Sequence, residues 1–190
     1  MATFCFLAGI LSYSAVRAVV VKQVNLAEIT GSAKYIFSGQ CINRVLEYDK
    51  NIDREVWVFT FRVDRMIKGR PRPRFSVMLS KTLVDLKQVP TYAIGDEVVL
   101  FLHPESRLGF TSPVGLGQGK FSVLNWVEGA KTVVNGNNNR NLFKGLDTPQ
   151  YRAVFMESSY PGRISGLVTQ KSGPVDYDLF LALVKALNKK

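Results

Sequence analysis

The fold is decided by the stretch EVWVFTFRVDRMI, residues 55–67, in which two sets of side chains alternate strictly along the chain. Successive side chains of a β-strand point to opposite faces of the sheet, so a period of two identifies an extended segment. One face carries Trp57, Phe59, Phe61 and Val63, and the other carries Val56, Val58, Thr60, Arg62 and Asp64. The pattern predicts a strand with one face in the core.

Further strands are predicted on both sides of this segment. Residues 35–46 read as a strand with a break at Gly39, and the apolar run EVVLFL at 97–102 is typical of a strand buried on both faces. The remaining predicted strands are Arg74–Leu79, Arg107–Pro113, Lys120–Trp126 and Lys131–Val134. Short strands at this spacing, separated by glycine and proline, predict a mainly β fold: an OB-like barrel of five to seven strands, closed or partly open, over residues 19–135.

Helices are predicted at both ends of this domain. Asn25, with Glu28 three residues later, predicts a capping box that starts a short helix over Leu26–Ser32. Residues 174–190 carry an apolar stripe at helical spacing and predict an amphipathic helix packed on the barrel, with a partner or membrane surface as the alternative. Residues 136–173 show no strong period and predict an irregular covering segment.

The first residues resemble an export signal. Phe4 to Tyr13 are almost wholly apolar, and Val16 and Ala18 occupy the positions that signal peptidase reads. The run is too short to span a bilayer, so no transmembrane segment is expected after cleavage, and the protein is predicted to be periplasmic or extracellular. The alternative is a buried first strand or helix of a cytosolic protein. Cleavage after residue 18 removes Cys5 and Arg17 and lowers the net charge from +10 to +9.

The composition argues against catalysis. The chain has 190 residues with two cysteines and one histidine, so neither a disulfide framework nor a histidine-based metal site can form. The glycines of 115–119 fit neither phosphate-binding pattern and predict a tight turn or bulge before the next strand. Cys41 and His103 are the only thiol and imidazole candidates for nucleophilic catalysis in the mature chain. We expect no enzyme activity, no cofactor and no metal, and keep a Cys41–His103 enzyme as an alternative.

A dense basic cluster is the feature with a physical consequence for binding. The motif Arg-Pro-Arg-Pro-Arg at 70–74 spaces guanidinium groups along a stiff turn, a geometry suited to phosphate or sulfate on an acidic polymer. A solvated hairpin that only aids solubility is the alternative. The turn lacks interleaved aromatic residues, so no specific nucleic-acid recognition is expected. The candidate binding residues are Arg65, Lys68, Arg70, Arg72 and Arg74.

The order of the segments resembles a family of bacterial exported proteins over residues 24–134. The resemblance is carried by LAEI at 26–29, AKYIFSGQC at 33–41, VFTFRVDRMIKG at 58–69, IGDEVVLFL at 94–102 and VGLGQGKF at 114–121. The same order is similar to the netrin-like, inhibitor-of-metalloproteinase (TIMP-like) type of barrel, which is a likeness of fold. Inhibitors of that type act through a cysteine at the mature N-terminus, whereas the terminus predicted here is Val19.

The resemblance implies a secreted β-barrel binding module. We therefore expect a non-catalytic protein of the bacterial cell envelope or extracellular space, whose partner is an envelope or extracellular protein or an acidic polymer. The alternatives are a protease inhibitor of modified netrin-like mechanism and a polyanion-binding surface protein.

Overall fold

A computed structural model describes residues 22–125 and 129–189, which form one antiparallel sheet and five α-helices. The strands are β1 (Tyr35–Asp49), β2 (Arg54–Lys68), β3 (Arg74–Ser80), β4 (Glu97–Leu102), β5 (Lys120–Asn125), β6 (Lys131–Asn135) and β7 (Val175–Asp176). Their order is β3-β2-β1-β4-β5-β6-β7. The predicted mainly β fold is confirmed. The closed form of the barrel is wrong, because β3 and β7 stand at the two ends of the described sheet and do not pair with each other.

Two of the five described helices begin with a side-chain cap, and two others have a proline in the first turn. The five helices are α1 (Leu26–Ser32), α2 (Lys81–Asp85), α3 (Pro149–Met156), α4 (Pro161–Leu167) and α5 (Tyr177–Asn188). The capping box of α1 is confirmed: Glu28 N donates to Asn25 Oδ1 at 2.9 Å, and Asn25 N donates to Glu28 Oε2 at 2.8 Å. The predicted C-terminal helix is confirmed as α5, where Asp176 Oδ1 accepts from Leu179 N at 2.9 Å.

The sheet has a core on each face. The helical face packs against α1 and α5 and contains Ile36, Val99 and Phe101. The aromatic face is lined by Phe37, Phe59, Phe61, Phe75 and Tyr92. β1 and β4 alternate between the two cores, as Ile36 and Phe37 show, so the prediction of a strand buried on both faces at 97–102 is confirmed. The prediction that one face of β2 lies in the core is confirmed, and that face is the one that carries Phe59 and Phe61.

The prediction of a strand over Arg107–Pro113 is wrong. Within the described residues, 107–113 form no strand and make only two single bridges, from Phe110 to Met78 and from Pro113 to Leu102. The cause is a turn: the Ser106 hydroxyl accepts from Leu108 N and Phe110 N, at 3.3 and 3.2 Å, and Gly109 adopts φ +82°.

The segment 136–173 is also more regular than predicted. It contains α3 and α4, each with a proline in its first turn, joined to the sheet by an asparagine-rich turn. Asn139 adopts φ +53°, and its buried amide donates to Val133 O and Gly173 O at 2.9 Å each. Asparagine tolerates this left-handed backbone better than other non-glycine residues, which explains its repeated use here.

The predicted signal peptide over 1–18 and the Trp126 end of the predicted strand lie outside the described residues. Among the helices of the described residues, none has the length and apolar character needed to cross a bilayer.

Candidate functional site

The basic turn, residues 69–74, connects β2 to β3 at one end of the sheet. Gly69 has φ +104°, and a Cβ at that position would lie 2.8 Å from Tyr35 Cδ1, so glycine is required there. Arg74 opens β3 opposite Arg62 of β2. Two like charges face each other at this pair, which raises the positive potential at the end of the hairpin.

Arg72 is held by two aromatic rings. Its guanidinium carbon lies 4.5 Å from the centroid of Phe75 and 5.2 Å from that of Tyr35. The Tyr35 hydroxyl donates to Glu105 Oε2 at 2.8 Å, and this hydrogen bond is the main cause that raises the pKa of Tyr35. Contact with the two rings restricts the Arg72 guanidinium. This restriction reduces the conformational entropy lost when an anion binds.

Arg70 and Arg74 point their charge to solvent. Both are exposed, and none of Arg70, Arg72 and Arg74 forms an ion pair with a described residue. A further positive charge, that of Lys34, acts on Lys68 at the end of β2. Lys34 is not among the predicted site residues, because its proximity to Lys68 follows only from the pairing of Ile36 with Lys68 across β1 and β2.

Two of the predicted site residues are used within the fold. Lys68 Nζ donates to Thr30 O at 3.0 Å and to Gly31 O at 3.4 Å, so it neutralises the C-terminal end of α1. Burial, and then the charge of Lys34, lower the pKa of Lys68. Arg65 Nη1 lies 3.4 Å from Asp178 Oδ1 and links β2 to α5. The structure therefore groups Arg70, Arg72 and Arg74 on the basic turn, whereas Lys68 and Arg65 contact helices.

Cys41 and His103 are not brought together. Cys41 N donates to Asp96 O at 2.9 Å, just before β4 begins, whereas His103 follows the last residue of β4. The six residues of β4 lie between Asp96, which contacts Cys41, and His103, and they span about 20 Å. The Cys41 side chain is fully buried, and burial is the main cause that raises its pKa. The thiol therefore has neither an adjacent imidazole nor a thiolate-favouring environment.

A second concave feature is a groove of about 620 Å³ beside the end of β3. Its wall includes Met78, Leu83, His103 and Phe110. The hydroxyls of Ser106 and Thr111 at its rim are occupied by backbone hydrogen bonds. Among the residues that the structure describes, no group of three or more His, Cys, Asp or Glu is placed to hold a metal ion.

These features define a class of protein: a mainly β domain with a seven-stranded open sheet, four of its five described helices on one face, and an arginine-rich turn at one end of the sheet. No model of a known protein family matches the chain, and no significant similarity to a curated protein is found.

Proposed function

We propose that the protein is a non-catalytic binding module, exported to the bacterial cell envelope or the extracellular space, and that its basic turn contacts phosphate or sulfate groups of an acidic polymer. The observation that supports this proposal is the grouping of Arg70, Arg72 and Arg74 on one rigid turn without an acidic partner in the described part of the chain.

The chemistry of the turn suits an anionic polymer better than a single small anion. Arginine presents a planar fork of donors that matches phosphate and sulfate oxygens, and its charge persists at any physiological pH. The prolines at 71 and 73 limit the backbone freedom between the three guanidiniums, so successive anionic groups along a polymer meet a preset spacing.

The test is the salt dependence of binding to heparin and to polyphosphate, measured with the purified protein. Each cation that neutralises an anionic group releases a counterion, so log affinity falls linearly with log salt concentration. We expect the variant with Arg70→Gln, Arg72→Gln and Arg74→Gln to bind about 10- to 100-fold more weakly at low salt. The salt slope should become shallower by about 2 to 3 units.

A matched control separates the turn from the net charge. Lys87, Arg140 and Lys171 are exposed, lie outside the turn and make no ion pair with a described residue. Their replacement by glutamine removes the same number of charges, and the affinity should change by less than about threefold. Equal weakening in both variants, or unchanged binding after loss of the three arginines, would refute the proposed role of the turn.

The netrin-like, OB-like type of the fold stays a prediction, and so does the alternative of a protease inhibitor of modified mechanism. Inhibition of a metalloprotease panel by the form that begins at Val19 tests that alternative. An envelope or extracellular protein partner is the other candidate for the basic turn, and it would bind without the steep salt dependence of a polymer.

A further inference from the structure

The hairpin arm, residues 43–57, extends β1 and β2 beyond the end of β4, while Val56 and Trp57 of β2 still pair with Ser80 and Leu79 of β3. β1 pairs with β4 only from Tyr35 to Gln40, whereas it pairs with β2 as far as Asp49. From Asn43 to Asp49, β1 therefore has a strand on one side only. No other described residue bridges to that edge.

Two features that hinder strand pairing are present at this edge: the charged side chains of Arg44, Glu47 and Asp49, and a register shift just before Asn43. However, residues 43–49 contain neither proline nor lysine, and Val45, Leu46 and Tyr48 are 37%, 38% and 57% exposed. The outer edge of β3 differs: it follows the proline-containing basic turn, and Thr111 N donates to Met78 O there at 3.4 Å. An open and partly apolar strand edge is a template for pairing with another strand.

The hydrogen bonds of Arg44 show which backbone groups face outward. Arg44 N donates to Asn43 Oδ1 at 2.9 Å. Val63 N of β2 donates to Pro73 O, so by alternation Phe59, the partner of Arg44, also directs its backbone groups toward β3 and away from β1. Because outward and inward groups alternate along an antiparallel strand, Arg44, Leu46 and Tyr48 direct their N–H and C=O groups to the open edge. A second strand can therefore form hydrogen-bonded pairs at these three residues.

We propose that the occupant of this edge is a second copy of the chain, paired antiparallel about a two-fold axis at Leu46. In this register Leu46 meets its own copy, Arg44 lies across from Tyr48 of the other copy, and Asn43 lies across from Asp49. These pairs are apolar with apolar, cation with aromatic ring, and amide with carboxylate; in the remaining pair Val45 lies across from Glu47 of the other copy, so no like charges are opposed. The Arg44 guanidinium also lies 4.2 Å from the ring centroid of Trp57 in its own chain. Pairing exchanges the local Asn43–Arg44 hydrogen bond for six backbone hydrogen bonds between the copies.

The neighbouring two-fold register is disfavoured by charge. With the axis at Glu47, two carboxylates would face each other at the centre, and like charges in directly opposed positions are destabilising. The proposed assembly joins the two arms into one sheet that runs β2-β1-β1-β2 across the interface. It leaves the basic turn of each copy free, and therefore goes beyond the polymer binding proposed above.

The test replaces Leu46, the residue that lies on the proposed two-fold axis. Sedimentation of the purified protein should show a dimer. Leu46→Lys and Leu46→Glu should each raise the dimer dissociation constant by about tenfold or more, because each places two like charges in opposition. An equimolar mixture of the two variants should restore the dimer, since lysine then faces glutamate.

A matched control is Leu83→Lys, since Leu83 on α2 is 40% exposed and lies outside the arm. That variant should dimerise as the unaltered protein does, and circular dichroism should show all variants folded. A monomeric unaltered protein, or a dimer that survives both Leu46 substitutions, overturns the proposal. A mixture of the Lys and Glu variants that stays monomeric also overturns it.

Discussion

Gly39 shows how a single residue shapes the sheet. It lies in β1 at a register shift between Ser38 and the next residue, and a Cβ there would overlap the backbone oxygen of Arg62 on β2. Its absence of a side chain permits the two strands to approach. The break that the sequence predicts at this position is therefore a bulge within a continuous strand, and not the end of one.

Replacing Gly39 with alanine should destabilise the protein by about 2 to 3 kcal/mol, because the clash is with backbone and cannot be relieved by a side-chain rotation. The free energy of unfolding in urea measures this change. Gly166→Ala is the control: Gly166 lies in α4 with no atom within 4 Å of its Cβ position, and alanine should stabilise the helix by up to about 1 kcal/mol. Equal stability of the two variants would contradict the steric argument.

The candidate site was only partly predictable at this scale. The local sequence identifies Arg70, Arg72 and Arg74, because adjacent prolines and arginines define the turn without any tertiary information. Lys68 and Arg65 belong to the same run of charge. Their partners, the Thr30 carbonyl and Asp178, lie 38 and 113 residues away in the chain, and no local pattern reports such contacts.

At the scale of secondary structure, the predictions succeed where a period persists and fail where a short segment depends on capping or turn chemistry. β2 and β4 were predicted from alternation and from a continuous apolar run, both of which arise from burial against the core. The helices α3 and α4 have 8 and 7 residues, too few for a clear apolar stripe. The sequence signal for these helices is a proline at the start of each one, Pro149 and Pro161. Proline is favoured at that position because the N–H that it lacks would have no partner within the helix.

The cap of α1 gives a prediction for an element. Asn25→Ala removes the acceptor for Glu28 N and the donor to Lys144 O, and should lower the free energy of unfolding by about 1 kcal/mol. Asn25→Ser keeps a side-chain oxygen for Glu28 N and should recover at least about half of that loss. Urea denaturation of the three proteins checks this, and equal loss in both variants would mean that the capping oxygen contributes little.

For the whole molecule, the important relation is that the basic turn and the hairpin arm lie at opposite ends of β2. The strand runs from Arg54 to Lys68, so the arm and the turn are about 40 Å apart along the chain contour. A dimer joined at the arms places its two basic turns at its two distal ends, and these are separated by up to about 80 Å.

This arrangement predicts that affinity depends on polymer length. Polyphosphate chains longer than about 100 Å can reach both turns of one dimer and should bind at least about tenfold more tightly than chains shorter than about 50 Å. The gain should disappear in Leu46→Lys, which retains a single intact turn per particle. Titrations with size-fractionated polyphosphate measure the effect. A length dependence that persists in the monomeric variant would contradict this link between the two proposals.

The burial of Cys41 has a practical consequence for spectroscopy. Within the described residues it is the sole thiol, it is fully buried, and burial holds it in the protonated form. In the form that begins at Val19, which lacks Cys5, a cysteine introduced on the surface, for example by Arg70→Cys or Tyr48→Cys, would therefore react selectively with a fluorophore or nitroxide while the natural thiol stays in place. Pairs of such labels would report distances across the molecule without any prior change to its core.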